Sequence, residues 1–271
     1  MDIPVDLLYI VASFHTKPRM KLLDWINIDK LDWYYLSFNP NAIHLLEEYP
    51  EKIYWNAISE NHQATHLLEL YPDKIEWSYL SGNPNAIHLL EEYPDNPLAV
   101  IDWDCLSKNP NAIHLLEKYP DKIDWLNLSS NPNAIHLLEK YPDRIHWGHL
   151  SRNPNAIHIL KKNPDKIIWH CLSENPDNSY VIPLLEKYPN KINWEYLSKN
   201  PNAIHLLEKN PNKIDWLFLS NNPNAIPLLV KYPNKINWGW LSKNPSIFEI
   251  DTKQTHIHMK KKASRIDYVH L

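Results

Sequence analysis

The sequence predicts an all-α fold, an α-solenoid of stacked short helix pairs with a 22-residue repeat. Ten tryptophans fall in one register: Trp33, Trp55, Trp77, Trp103, Trp125, Trp147, Trp169, Trp194, Trp216 and Trp238. Seven of the nine intervals are 22 residues; the other two, 26 and 25, hold short insertions around "DNPLAV" and "DNSYV". A fixed short period marks units that bury their apolar faces only by stacking on one another. With 3 glycines and 23 prolines in 271 residues, the composition argues against many-turned β architectures and phosphate-cradling loops.

Each unit divides into two helical patterns. In "IDWLNLSS", Asp124 is placed as an N-cap, with Ile123 before it and Leu128 four residues inside, the arrangement of a hydrophobic staple. Asp102 and Asp215 read as caps in the same way. In "NPNAIHLLEKYP", Ala134, Leu137, Leu138 and Tyr141 follow the i, i+3, i+4, i+7 spacing of a buried helical face, and Pro142 stops the helix. Two units carry Pro183 and Pro227 where the others have His. A helix capped at Asn222 would put Pro227 in its interior, where it costs a hydrogen bond. The second helix is therefore expected to start later, capped at the second Asn (Asn224), with Asn-Pro as a turn. Gln63 is a poor cap at that position.

Helices this short are marginal alone in water, so packing between units must hold them. The ten tryptophans are expected to form the structural core with their Leu and Ile neighbours. Ser37 and its counterparts stand four residues after every Trp, and Asn39 and its counterparts two residues later, through to Ser242 and Asn244. Such polar constancy is expected from backbone satisfaction in a tight corner. Ten copies on successive rungs do not make one reaction site.

His44, His66, His88, His114, His136, His158 and His205 form a ladder on the polar side of the second helix. Neighbouring helices lie about 8–10 Å apart, too far for successive histidines to share a metal with bonds of about 2 Å. His44, His88, His114, His136, His158 and His205, with Lys260, Lys261 and Lys262, are the candidate partner surface. His146 and His149 lack a visible third ligand, and His256 and His258 are an opportunistic metal site at most. No catalytic, cofactor-binding or metal residue is expected, and no cofactor. Glu117 and Glu139 read as a solvated face, and the Asn127–Ser129 glycosylation pattern sits inside a repeat helix. Cys105 and Cys171 are expected to be free thiols.

Charge is uneven. Residues 1–135 carry 9 Lys/Arg and 20 Asp/Glu, whereas residues 136–271 carry 19 and 12. Opposite ends of opposite sign would permit head-to-tail self-association or two kinds of protein partner. The acidic half makes nucleic acid an unlikely partner, and no apolar run is long enough for a membrane span. Residues 1–30 are expected to form an N-terminal helical cap, with "IPVDLLYIVASF" weakly similar to the opening of an F-box. Residues 31–248 form about ten repeat units, and 249–271 a basic cap or tail.

The repeated "NPNAIHLLEKYPDKIDW" resembles the short Asn-Pro/Trp repeat proteins of giant DNA viruses of amoebae. The resemblance runs over residues 31–248, because Asn-Pro, Ala-Ile-x-Leu-Leu, Tyr-Pro and Ile-x-Trp recur in order. His62 for Pro, and Asn163 and Asn210 for Tyr, depart from it in single units. It implies a viral protein of largely uncharacterised role, in host cytoplasm or nucleus and possibly in the virion, with no catalytic residue carried over. The expected function is a non-catalytic protein–protein interaction scaffold. A structural or assembly component of the virion, an F-box-like ubiquitin-ligase adaptor and nucleic-acid binding by the basic half are the alternatives.

Overall fold

A computed structural model describes residues 18–92 and 101–257 of the chain. It is the all-α repeat the sequence predicts. The first helix of each unit opens on its tryptophan: Trp33–Ser37, Trp55–Glu60, Trp77–Leu80, Trp103–Lys108, Trp125–Leu128, Trp147–Arg152, Trp169–Leu172, Trp194–Lys199, Trp216–Ser220 and Trp238–Ser242. These are the Trp helices of units one to ten. The second, or Ile, helices of units one to nine are Ile43–Glu48, Thr65–Leu70, Ile87–Glu91, Ile113–Lys118, Ile135–Lys140, Ile157–Lys162, Val181–Lys187, Ile204–Lys209 and Ile226–Lys231. A 3-10 turn from Tyr-Pro links most Ile helices to the next Trp helix, as at Pro120–Lys122.

Asp caps the Trp helices where expected. Asp124 accepts from the Asn127 amide at 2.7 Å, Asp102 from Cys105 at 2.9 Å and Asp215 from Phe218 at 3.1 Å. The Ile helix begins later than a cap at the second Asn would place it. In unit nine Ala225 is the N-cap residue and Ile226 the first helical one, so Pro227 falls in the first turn, where no intrahelical bond is lost. The second Asn is spared for another task. Asn133 Nδ2 donates to the Pro110 carbonyl of the preceding unit at 2.9 Å, and Asn155 does the same to Pro132.

The core is a strip of leucines. The residue three after each Trp is fully buried in every unit, Leu36, Ile58 and Leu150 among them, as is the Ala before each Ile helix in units one to six. The tryptophans, expected in the core with these neighbours, pack against it without being fully buried. Each is half-buried and packs on the flank of the strip. A large indole at the end of a short helix reaches the edge of the layer, where it meets the Tyr that ends its own unit: Trp125 and Tyr141 have ring centroids 5.3 Å apart, and Trp103 and Tyr119 5.7 Å. A lysine from the next unit covers some of them, with Lys166 over Trp147 at 4.8 Å and Lys213 over Trp194 at 4.6 Å.

The constant Ser and Asn join units, beyond turning a corner. Ser129 Oγ donates to the Trp125 carbonyl at 2.7 Å and accepts from the His146 amide of the next unit at 2.9 Å. Asn131 Oδ1 accepts from the Asn133 amide, closing the Asn-Pro turn, while its Nδ2 donates backward to the carbonyls of Ser107 and Asn109, both at 2.9 Å. All ten Ser and all ten Asn are buried. Burying that many polar side chains is tolerable because each is bonded.

The stack closes into a ring. Asn39 of unit one donates to the carbonyls of Ser242 and Asn244 of unit ten at 2.9 Å, Asn41 to Pro245 at 2.9 Å, and the Asp32 amide to Ser242 Oγ at 2.8 Å. Lys30 covers Trp238 at 4.8 Å, as Lys166 and Lys213 cover Trp147 and Trp194. In place of a tenth Ile helix, strand β2 (Phe248–Ile250) pairs antiparallel with β1 (Met20–Leu22). Lys21 bridges to Glu249 across that pair at 2.8 Å. Residues 19–23 and 247–251 are thus a clasp between the two ends, where separate caps were expected. The F-box-like stretch and Lys260, Lys261 and Lys262 lie outside the described residues.

At seven of the ten junctions, unit one to unit ten included, Trp helix packs directly against Trp helix. The Trp helices therefore form the inner wall of the ring and the Ile helices the outer.

Candidate functional site

The two walls differ in how they repeat. The outer helix reads Ile-His-Leu-Leu-Glu with few departures, and its histidines have a structural role. His66 Nε2 lies 2.9 Å from Glu47 of the preceding unit, His136 3.0 Å from Glu117, and His158 2.9 Å from Glu139. His88, His114 and His205 pair likewise with Glu69, Glu91 and Glu186 at 3.0–3.2 Å. His44, whose preceding unit has β2 instead of an Ile helix, turns to Glu47 of its own helix at 3.2 Å. Apart from His44, the structure gives these part-exposed ladder histidines, candidate partner-surface residues except for His66, a bond between units. A sequence signal for this existed. Where the next unit has Pro183 in place of His, the preceding Glu is Lys161, and where it has Glu249, the preceding residue is Val230; Glu208, ahead of Pro227, keeps its acid.

Glu47 has two of these histidines. Burial raises its hold on a proton, but hydrogen bonds from His66 and His44 outweigh that and leave its carboxyl below the usual value.

The inner wall varies from unit to unit. Five residues after each Trp the chain carries Phe38, Glu60, Gly82, Lys108, Ser130, Arg152, Glu174, Lys199, Asn221 and Lys243. This position lies between the buried Ser and the buried Asn, at or just past the end of the Trp helix. Arg152 Nε bonds Glu174 Oε2 at 3.1 Å, and Lys199 Nζ approaches the other oxygen at 3.8 Å. Arg152 also lies 5.2 Å from the Tyr196 ring, two units on. Skipping a unit in this way is geometrically easy only on the concave side of a curved wall.

Aromatic side chains two residues after Trp continue this surface. Lys199 sits 4.1 Å from the Phe218 ring centroid and 4.9 Å from Tyr196, and Lys243 4.3 Å from Phe38. Phe218 meets Trp240 at 5.6 Å, and Trp240 stacks on Tyr35 at 5.8 Å across the closure. Burial pulls the Lys243 ammonium below its ordinary value, with the charge of Lys108 adding to the effect and that of Glu60 opposing it. Side chains from units ten, four and two therefore sense one another across the ring.

The same wall holds a shallow concavity lined by His146, Gly148, His149, Arg152, His170 and Cys171. Burial, then the charges of His146, Arg152 and Lys108, hold His149 below its usual value. No group of three His, Cys, Asp or Glu among the described residues has the geometry to hold a metal ion. Both cysteines are free; burial and Asp102 push the Cys105 thiol up to about 11, which suppresses its thiolate.

No family model, curated protein or solved structure matches the chain. Among the described residues no helix is long and apolar enough to cross a membrane.

Proposed function

We propose that the protein is a non-catalytic interaction scaffold whose binding face is the inner wall of the ring. The observation that carries this reading is the contrast between walls within one chain. The outer Ile helices repeat the residues that bond unit to unit, whereas the position five after Trp changes chemistry at nearly every step. A surface under only structural demand repeats with the structure. A surface that recognises something of irregular shape and charge does not.

The resemblance of "NPNAIHLLEKYPDKIDW" to giant-virus repeat proteins supports a viral setting for this scaffold. Head-to-tail self-association through the ends would require the clasp between β1 and β2 to open first. The test is affinity capture from amoebal lysate with the full chain as bait. Reversing Arg152, Glu174 and Lys199 together should release the captured partners, while replacing Lys118, Lys140 and Lys162 on the outer side should retain them. Release by the outer set alone would overturn the assignment of the inner wall.

A further inference from the structure

The four cations of the inner circle are not equally satisfied. Arg152 and Lys199 share Glu174, but Lys108 and Lys243 form no ion pair among the described residues. Lys243 is also half-buried, with its ammonium lying against the face of Phe38 at 4.3 Å. A partly desolvated cation with no carboxylate partner, near other cations, is costly unless an anion joins it. The circle carries two acids, Glu60 and Glu174, against four bases, and all six stand on a rim that the Asn ladder holds tightly. Ring closure makes the arrangement possible, because on an open stack units four, six, eight and ten would trail away from one another.

We propose that a small, phosphate-dense anion binds on the axis of the ring, held by Lys108, Arg152, Lys199 and Lys243. The three lysines supply point charges that adapt to several phosphate geometries, and the Arg152 guanidinium offers a fork to phosphate oxygens. Trp240 and Tyr35, stacked at 5.8 Å, continue the wall beside the cations and give a planar group a surface to lie on. The shared chemistry is a cluster of phosphates, whether on a nucleoside, on a cyclitol or as an inorganic chain. This rests on reading the inner wall as the binding face, but titration with a pure anion does not depend on capturing any macromolecular partner.

The experiment is calorimetric titration of the full chain with inorganic tripolyphosphate, ATP and inositol hexakisphosphate. At least one should bind with one-to-one stoichiometry, and the affinity should fall as salt rises. The double variant K108M/K243M should weaken binding by about tenfold or more, and the outer double variant K140M/K162M should leave it unchanged. Tighter binding of ATP than of tripolyphosphate would assign the aromatic wall to a base, while equal binding would assign the site to phosphates alone. Should the double variant not fold, Glu60→Gln provides the second measurement, because removing an acid from the circle should tighten binding several-fold. The absence of binding by all three anions would overturn the proposal, as would equal weakening by the inner and outer pairs.

Discussion

Asn39 reaches across 203 residues of sequence to donate its side-chain amide to the Ser242 carbonyl at 2.9 Å, the same bond that Asn61 makes to Ser37 over 24 residues. The last rung of the ladder and the first are therefore chemically the same joint, and the molecule has no free ladder end.

That identity makes closure measurable. Asn153→Ala would leave the Ser129 and Asn131 carbonyls without the donor that now lies at 3.2 and 2.9 Å. The Asn131 carbonyl keeps the Ala134 amide at 3.2 Å, so the expected loss is about 1–3 kcal/mol for one stranded acceptor. Asn39→Ala should cost a similar amount in urea denaturation, and small-angle scattering should show expansion as the clasp loosens. In an open stack Asn39 would sit at a free edge, and its loss would stay within about 0.5 kcal/mol.

The core strip predicts an inverted order of sensitivity. Leu150 is fully buried, so Leu150→Ala should cost about 3–5 kcal/mol through lost burial and cavity formation. Trp147 is larger but half-buried under Lys166, so Trp147→Ala should cost less, roughly 2–3 kcal/mol, scaled down from a fully buried indole. Chemical denaturation of the two variants side by side checks the order.

Unit two carries a local flaw. Thr65 stands where eight other units have Ile, and its buried hydroxyl has no hydrogen-bond partner among the described residues. Thr65→Ile should raise stability by roughly 1–2 kcal/mol, because an apolar group replaces an unpaired polar one. A thermal melt showing no gain would mean that the hydroxyl is satisfied in solution.

Two groups give the stability a pH dependence of known sign. The Glu47 carboxyl lies below its ordinary value of 4.5 when folded, so it adds stability above that value. The contribution disappears as pH falls through the folded value. His149 lies below its ordinary 6.5, so the folded state resists its protonation and loses stability as pH falls through 6.5. The penalty is complete once pH is below the folded value. Urea midpoints from pH 8 to about pH 3 should fall in these two windows. His149→Gln should flatten the upper one and Glu47→Gln the lower.

Much of this was legible in the chain itself. Ten tryptophans in register dictated the repeat and the helix pairs, and Asp124 announced its cap because a cap depends on residues three apart. The role of the histidines was less accessible, since a helical wheel shows His136 beside polar neighbours of its own helix, while its partner Glu117 belongs to the unit before. Lys161 ahead of Pro183 was a partial trace, since Glu208 is kept ahead of Pro227. How deeply each Trp is buried is not legible, because size and apolarity do not say which end of a short helix faces a neighbour.

By itself, then, the sequence determined what acts over a few consecutive residues: the period, the helix pairs, the Asp caps of the Trp helices and the Ser-x-Asn corner. Only the tertiary structure decided that the stack curves far enough for Asn39 to meet Ser242. Curvature is the sum of ten small rotations between units, each set by side-chain packing, and no single residue encodes it. Closure in turn decided which side chains face one another, because Lys108 and Lys243, 135 residues apart in the chain, share a surroundings only when the ring is complete.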